Sequence, residues 1–223
     1  MSRLSGPRVA PKSGVAKQLV VLLHGVGADG NDLIGLAPAL ARFLPHAAFV
    51  APNGPAPCDM APFGYQWFSL RDRRSEALLR GVQAAAPLLD AFLDEELERH
   101  GLSARQLALV GFSQGTMMSL YVGPRRPAPV AAVLGFSGAL LGADALKVEA
   151  VSRPPVFLIH GDADEIVPVG ALAAAVAGLQ AADIPVRWEI RPGLPHAIDP
   201  EGIAHGGAFL AAAFGDGEAH QPS

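Results

Sequence analysis

Short aliphatic runs alternate with segments of helical periodicity along most of the 223-residue sequence. The runs QLVVLL, AAFV, QLALV, AAVL and PVFLI have the length and composition of buried strands. Strands that are apolar along their whole length need cover on both faces, which is typical of a parallel sheet between two layers of helices. The pattern predicts an α/β fold with a mostly parallel sheet and helices on both faces.

The alternation continues without an interrupting linker, so we expect one domain over residues 1–223. Half of the residues are apolar and 17% are charged, which excludes a largely disordered chain. We expect the N-terminal extension, 1–17, and the tail, 215–223, to be peripheral. Helices are predicted in NDLIGLAPALARFL and from Glu76 to His100, the latter with a kink at its internal proline.

Charge and composition exclude several classes of function. The net charge of -4 offers no basic field for nucleic acid. No apolar run approaches the roughly 20 residues of a membrane-spanning helix, so no stable membrane insertion is expected. The N-terminal segment lacks the apolar stretch of a secretory signal, which favours a cytoplasmic protein. Cys58 is the only cysteine, which rules out an internal disulfide or a cysteine-based metal site.

The segment LVGFSQGTMM, residues 109–118, places a serine between a predicted strand and a predicted helix. Ser113 is bracketed by Gly111 and Gly115 in the pattern Gly-x-Ser-x-Gly. In this context the pattern is typical of a strained turn that exposes a nucleophilic serine at the carboxyl edge of a sheet. Ser137, in GFSGALL, lacks the second glycine at the required spacing and is interpreted as a structural turn residue.

A serine hydroxyl needs a base and a carboxylate, expected downstream in the order serine, acid, histidine. Asp164 follows the strand PVFLIHG, and His196 follows the next strand, VRWEIRP. Loops after parallel strands meet at one edge of the sheet, where the serine is also expected. The alternative acids are Asp162 and Glu165. The alternative bases are His160 and His205, which we interpret as structural because one ends a strand and the other lies within a predicted helix.

The oxyanion of an acyl-transfer intermediate needs two hydrogen-bond donors. The backbone N–H of Gln114, next to the serine, is one candidate. The N–H of Val26, in the glycine-bracketed loop LLHGVGADG, is the other. His24 in the same loop is expected to have a structural role beneath it.

Four motifs, LHGVGADGNDL, GFSQG, HGDADEIVP and GLPHAI, occur in that order and together resemble the phospholipase/carboxylesterase family of α/β-hydrolases. The resemblance covers nearly the whole predicted core. It implies an α/β-hydrolase fold with Ser113, Asp164 and His196 as the catalytic triad, and with Val26 and Gln114 at the oxyanion hole. It also implies hydrolysis of carboxylic esters or thioesters without a cofactor or metal.

Two features of the long segment 52–75 bear on substrate binding. Its apolar side chains Met60, Phe63, Trp67 and Phe68 are candidates for an acyl pocket, with cover of the sheet edge as the alternative. An apolar patch around Trp67 would equally suit a homodimer interface. The run RDRRSE reads as a solvated face, with attraction of an acidic substrate as its alternative.

The sequence therefore predicts a serine carboxylesterase that hydrolyses short- to medium-chain esters through an acyl-enzyme. The expected partner is a small-molecule ester. The alternatives are an acyl-protein thioesterase or a lysophospholipase, which use the same triad, and a non-catalytic hydrolase-like binding protein. The absence of a long insertion that would form a lid favours an open cleft and acyl chains of limited length.

Overall fold

The structure, a computed structural model, describes residues 4–215 and is built around one sheet of seven strands. In chain order the strands are β1 (Arg8–Val9), β2 (Gln18–Leu23), β3 (Ala47–Val50), β4 (Ala56–Pro57), β5 (Tyr65–Gln66), β6 (Leu107–Phe112), β7 (Ala132–Phe136), β8 (Val156–Gly161) and β9 (Val186–Arg191). The order across the sheet is β1-β3-β2-β6-β7-β8-β9, while β4 and β5 form a separate hairpin. β1 is antiparallel to β3, and the other neighbouring strands of the seven are parallel. The mostly parallel sheet predicted from the sequence is confirmed.

Helices cover both faces of this sheet. They are α1 (Gly30–Leu33), α2 (Ala37–Leu40), α3 (Ser75–His100), α4 (Gln114–Val122), α5 (Ala143–Glu149), α6 (Gly170–Ala181) and α7 (Pro200–Ala213). Leu19, Val21 and Leu23 of β2 belong to one core together with residues of α3 to α6, and Val20 and Leu22 belong to a second core with residues of α1, α2 and α7. Successive side chains of a strand point to opposite faces, so one strand supports both layers.

The helix predicted in NDLIGLAPALARFL is wrong as a single element. The structure divides it into α1, a 3₁₀ turn at Ile34–Leu36, and α2. Gly35 lies in the turn, and Pro38, the second residue of α2, has no N–H to bond the preceding turn. The hairpin of β4 and β5 and the short helix α5 were not predicted from the sequence. Only Leu146 of α5 is buried, which leaves little periodic signal.

The long helix α3 agrees closely with its prediction. It begins one residue earlier than expected, at Ser75, and continues through Pro87. Gly101 ends it in the left-handed conformation, with φ of 64°, and its N–H donates to the carbonyl of Glu98 at 3.1 Å. A glycine at this position avoids the steric cost that a side chain would add.

The first described residues lie at the outer edge of the sheet and are tied to α3. Leu4 is buried, and β1 adds an edge strand beside β3. Arg8 donates to the buried carboxylate of Glu96 through Nε at 3.1 Å. Of the tail expected at 215–223, only Gly215 lies within the described residues. Among the helices of residues 4–215, none combines the length and apolar character that crossing a bilayer requires.

Candidate active site

Ser113 lies at the turn between β6 and α4, in a conformation that side chains rarely adopt. Its φ is 54° and its ψ is -114°, in the region where strain marks functional sites. The turn is held from both sides, because the Ser113 N–H donates to the Phe136 carbonyl at 2.9 Å and its carbonyl accepts from Thr116 at 3.0 Å. The surrounding sheet and helix therefore impose the conformation of the serine.

The two flanking glycines allow the helix to pack against the sheet at this turn. A Cβ on Gly111 would lie 2.4 Å from the carbonyl carbon of Gly115, and a Cβ on Gly115 would lie 1.8 Å from the carbonyl oxygen of Leu23. Both clashes are with backbone, which cannot move aside as a side chain can. The two glycines of Gly-x-Ser-x-Gly are thus explained by close packing, since neither has a positive φ.

Asp164 and His196 lie in the loops after β8 and β9 and are hydrogen-bonded to each other. His196 Nδ1 is 2.8 Å from Asp164 Oδ2. A carboxylate can only accept, so Nδ1 carries the proton and Nε2 is left free to accept one. The centroid of the imidazole ring lies 4.8 Å from that of the Phe112 ring, with the two planes tilted by 41°. This pair has the geometry of a base held in one tautomer by an acid.

The carboxylate of Asp164 is buried and well supplied with donors. Its Oδ1 accepts from the backbone N–H groups of Ile166 at 2.9 Å and Val167 at 2.8 Å. Burial acts to raise the pKa of Asp164, but the hydrogen bonds from His196 and the two amides outweigh it and hold the pKa below its usual value. Asp164 is therefore an ionised carboxylate at neutral pH.

The loops after β8 and β9 are also joined by their backbones. Asp162 Oδ1 accepts from the Gly193 N–H at 2.6 Å, and the Ala163 N–H donates to the Leu194 carbonyl at 3.2 Å. A Cβ on Gly161 would lie 1.9 Å from the same carbonyl oxygen. Asp162 thus positions the loop that carries the histidine and does not contact the histidine itself.

The loop after β2 passes directly beside the serine. A Cβ on Gly25 would lie 3.2 Å from Ser113 Cβ. The loop is tied down by the Gly27 N–H, which donates to the Tyr65 carbonyl at 2.8 Å. Within residues 4–215 the backbone N–H groups of Val26 and Gln114 have no acceptor. These two amides are therefore free to bind an oxygen anion.

His24 supports this loop from below, as its sequence context suggested. It is fully buried, its Nε2 accepts from the Gly54 N–H at 2.9 Å, and its Nδ1 lies 2.7 Å from the Gly25 carbonyl oxygen. Since Nε2 accepts, Nδ1 carries the proton. Burial lowers the pKa of His24, so its role is structural in the neutral form.

A cavity of about 350 Å³ lies over these loops and is lined by both Ser113 and His196. Val26 and Met60 line it as well. The Ser113 hydroxyl has no hydrogen-bond partner among the described residues. The serine and the histidine thus face the same cavity.

Of the four aromatic and apolar residues proposed for an acyl pocket, only Met60 lines the cavity. Trp67 and Phe68 are buried in the core. The Trp67 indole N–H donates to the His24 carbonyl at 3.0 Å, which explains its inward position and removes it from any surface patch. Phe63 is 73% exposed and lies outside the cavity lining.

Other lining residues were not singled out from the sequence. They are Leu70, Arg73, Leu78, Phe112, Met117, Ile166, Val167 and Pro168, with Gly25 and Ala28. Met117 could have been found, because it lies four residues after the serine on the same helical face. Ile166 to Pro168 follow the acid in its own loop. Nothing in the sequence indicates that Arg73, one arginine of the run RDRRSE, lines the cavity.

The side chain of Gln114 has a role that sequence reasoning missed. It is fully buried, accepts from the Trp67 N–H at 2.9 Å and donates to the Phe68 carbonyl at 2.7 Å. A buried amide with both ends paired fixes the segments that it joins. Gln114 therefore ties the long segment 52–75 to the turn that carries the serine.

The alternative bases and serine lie outside the cavity lining. His160 is buried beside the acid, with Nε2 3.4 Å from Asp164 Oδ2, and the same nitrogen lies 2.7 Å from the Val167 carbonyl oxygen. His205 is on α7 and pairs with Glu189 at 2.8 Å. Ser137 follows β7 with a φ of 47°, but it is buried outside the cavity lining and its hydroxyl has no partner. Within residues 4–215, no three histidine, cysteine or acidic side chains are grouped to hold a metal.

Comparison with known proteins adds a family context to this geometry. The family model described as Phospholipase/Carboxylesterase matches residues 4–213. Esterase YpfH of Escherichia coli (strain K12) is 30% identical over 184 residues, which are 82% of this chain and 78% of that protein. Acyl-protein thioesterase 1 of Gibberella zeae is 28% identical over 226 residues, covering 92% of this chain and 94% of that protein.

A solved structure also matches the fold closely. The crystal structure of esterase PE8 has a TM-score of 0.91 and 45% sequence identity, and the match covers 95% of this chain and 100% of that chain.

Proposed function

Because this chain belongs to the phospholipase/carboxylesterase family of α/β-hydrolases, we propose that it hydrolyses short- to medium-chain carboxylic esters through a serine acyl-enzyme. The observation that carries the proposal is the hydrogen-bonded pair of Asp164 and His196 in one cavity with the strained Ser113. A binding protein would have no need of a buried carboxylate that fixes the tautomer of a histidine at this position.

In the proposed reaction, Ser113 Oγ attacks the ester carbonyl while His196 Nε2 takes its proton. Asp164 remains ionised and stabilises the charged imidazole. His196 then gives the proton to the departing alcohol, leaving the acyl group on the serine. Water enters and attacks the acyl carbonyl as it loses a proton to the same nitrogen. The bond to Ser113 Oγ then breaks, His196 returns the proton to that oxygen, and the carboxylic acid leaves the free enzyme.

The tetrahedral intermediates carry a negative oxygen, and we propose that Val26 and Gln114 bind it through their backbone N–H groups. Support comes from the lack of any other acceptor for these amides in residues 4–215. Gln114 is also the first residue of α4, whose N-terminal end carries a partial positive charge. Donors of this kind contribute about 3 to 4 kcal/mol each to transition-state stabilisation.

The proposed preference for short and medium chains rests on the size of the cavity. About 350 Å³ is near the lower end of small-molecule sites, which range from roughly 300 to 1,000 Å³. We expect kcat/KM for p-nitrophenyl esters to peak at or below the octanoate. Rates that climb steadily to longer chains would contradict this part of the proposal.

A thioesterase is the second candidate, favoured by the similarity to acyl-protein thioesterase 1 over nearly the whole chain. The same serine chemistry acts on a thioester, so the triad does not separate the two. Comparing kcat/KM for p-nitrophenyl butyrate with that for a butyryl thioester and an acylated peptide decides which leaving group is preferred.

The direct test compares Ser113→Ala with Ser137→Ala. Both serines follow parallel strands and both have positive φ, which makes the second a matched control. We expect Ser113→Ala to lose p-nitrophenyl butyrate hydrolysis by at least about four orders of magnitude, with its circular dichroism and Tm retained. Ser137→Ala should stay active. Undiminished activity in Ser113→Ala would refute the serine mechanism.

A further inference from the structure

Three arginines end the long segment 52–75, and only one of them lacks a partner. Arg74 Nε lies 2.9 Å from Asp72 Oδ1, and Arg71 Nε lies 3.5 Å from Asp59 Oδ2. Arg73 has neither an acceptor nor a carboxylate partner anywhere in residues 4–215. Its guanidinium is therefore an uncompensated positive charge.

This unpaired arginine lines the same cavity as Ser113 and His196. Among the described residues, the lining contains no aspartate or glutamate, and Arg73 is its one side chain with a permanent charge. Apart from Ser113 and His196, the other side chains of the lining are apolar, Met60 and Leu78 among them. An ester in this cavity would meet a single side chain with a permanent positive charge.

The local backbone adds to this positive character. Arg73 comes just before α3, a helix of 26 residues that has no side-chain cap from its N-cap residue and one acidic residue, Glu76, in its first turn. The N-terminal end of a helix carries a partial positive charge that favours anions. A guanidinium in turn presents a planar set of donors that matches the two oxygens of a carboxylate.

We propose that Arg73 is a specificity-determining residue that binds a carboxylate on the ester substrate. The inference rests on the proposed esterase function and names its substrate class: esters that carry a negative group on the acyl or the alcohol part, such as half-esters of dicarboxylic acids. Arg73 takes no part in bond making. It orients the substrate by holding the charged end while the ester carbonyl reaches the serine.

Matched substrates test the inference. Monoethyl glutarate carries a carboxylate on its acyl part, ethyl 4-nitrobutanoate is a neutral compound of similar shape, and 4-acetoxybutanoate carries the carboxylate on its alcohol part. We expect wild-type kcat/KM to be about tenfold higher for at least one anionic ester than for the neutral one. This factor corresponds to the lower end of the free energies found for hydrogen bonds to charged groups, as expected for an exposed arginine. The anionic ester that is favoured identifies the side of the carbonyl on which the carboxylate binds.

The variants are Arg73→Gln and Arg74→Gln, which remove the same charge from adjacent positions. We expect Arg73→Gln to lose the preference, mainly through KM, and Arg74→Gln to keep it because Arg74 lies outside the cavity lining. The preference is a ratio of two substrates on one enzyme sample, so partial misfolding cancels.

No anionic preference in the wild type, or an equal loss in both variants, would overturn the inference. The neutral ester separates this failure from a failure of the proposed function. If the wild type hydrolyses ethyl 4-nitrobutanoate and Ser113→Ala does not, the esterase mechanism stands even when Arg73 has no effect.

Discussion

The two sides of the cavity are built in different ways. On the side of the sheet, Ser113, Gln114 and Asp164 are each at most 5% exposed and are fixed by backbone hydrogen bonds. On the side of the segment 52–75, Met60 is 45% exposed and Arg73 has no partner within the described part of the chain. The groups that we propose to react are thus held by the fold, while the groups that would meet the variable part of a substrate lie on an exposed loop, where sequence change is tolerated more easily.

The largest effect is expected at the acid. Asp164→Asn should lower kcat for p-nitrophenyl butyrate by about four orders of magnitude, because an amide favours the wrong tautomer of His196 and does not stabilise its charged form. Steady-state kinetics measure the loss.

Asp162→Asn is the matched control for that variant. Its amide oxygen can still accept from Gly193, so the loss should be less than about tenfold. If Asp162→Asn were the more damaging change, the acid would have been wrongly assigned.

The next effect concerns the packing of the turn between β6 and α4 that carries Ser113. Gly115→Ala places a Cβ against the Leu23 carbonyl oxygen and should cost about 3 kcal/mol or more of unfolding free energy. Gly170→Ala, at the start of α6, meets nothing within 4 Å and should change it by no more than about 0.5 kcal/mol. Urea unfolding measures the unfolding free energy of both variants. Equal values would show that the turn at Ser113 is not tightly packed.

A smaller effect should appear in the pH dependence of stability. Burial lowers the pKa of His24 in the folded protein, so the unfolded chain binds the proton more readily. The resulting stabilisation is present above the unfolded pKa of about 6.5 and is lost as the pH falls towards the folded pKa, by at most about 1.4 kcal/mol per pH unit.

Urea unfolding between pH 7.5 and 5 measures this slope. His24→Gln removes the titrating group and should flatten the curve over that range. The buried carboxylates Asp164 and Glu96, whose pKa values are lowered by their hydrogen bonds despite burial, act at more acidic pH. An unchanged slope in His24→Gln would mean that another group controls stability there.

The smallest effect is expected on the exposed side of the cavity. Met60→Ala should raise KM for p-nitrophenyl butyrate by about twofold to threefold, since a partly exposed side chain buries little area against substrate. Phe63→Ala, in the same loop but outside the cavity lining, should leave KM unchanged. A large effect of Phe63→Ala would show that the loop folds over the bound ester.

Much of the side of the cavity formed by the sheet could be predicted from the sequence, because the motifs that indicate it are short and local. A glycine two residues before Ser113 and another two residues after it indicate tight packing at this turn. The end of each aliphatic strand likewise predicts where a loop begins. Parallel pairing then brings those loops to one edge. Strand order placed the loop of Asp164 beside that of His196, and the family resemblance selected Asp164 over Asp162 and Glu165.

The side of the cavity formed by the segment 52–75 could not be predicted in the same way. Trp67 and Phe68 were predicted to line a pocket because they are large and aromatic. Both are buried instead, because their segment forms hydrogen bonds to Gln114 and to the His24 carbonyl, more than forty positions away in the sequence. Arg73 is one of three similar arginines, and only the pairing of the other two distinguishes it. Such contacts depend on tertiary packing, which periodicity does not encode.

The most direct test of the account is to identify the residue that becomes acylated. The enzyme is mixed with a fluorophosphonate or quenched during turnover of p-nitrophenyl butyrate, digested, and analysed by peptide mass spectrometry. The account predicts a stoichiometric adduct on Ser113 that is absent from Ser113→Ala and persists in Ser137→Ala. An active enzyme with its adduct on another residue, or with none, would contradict it.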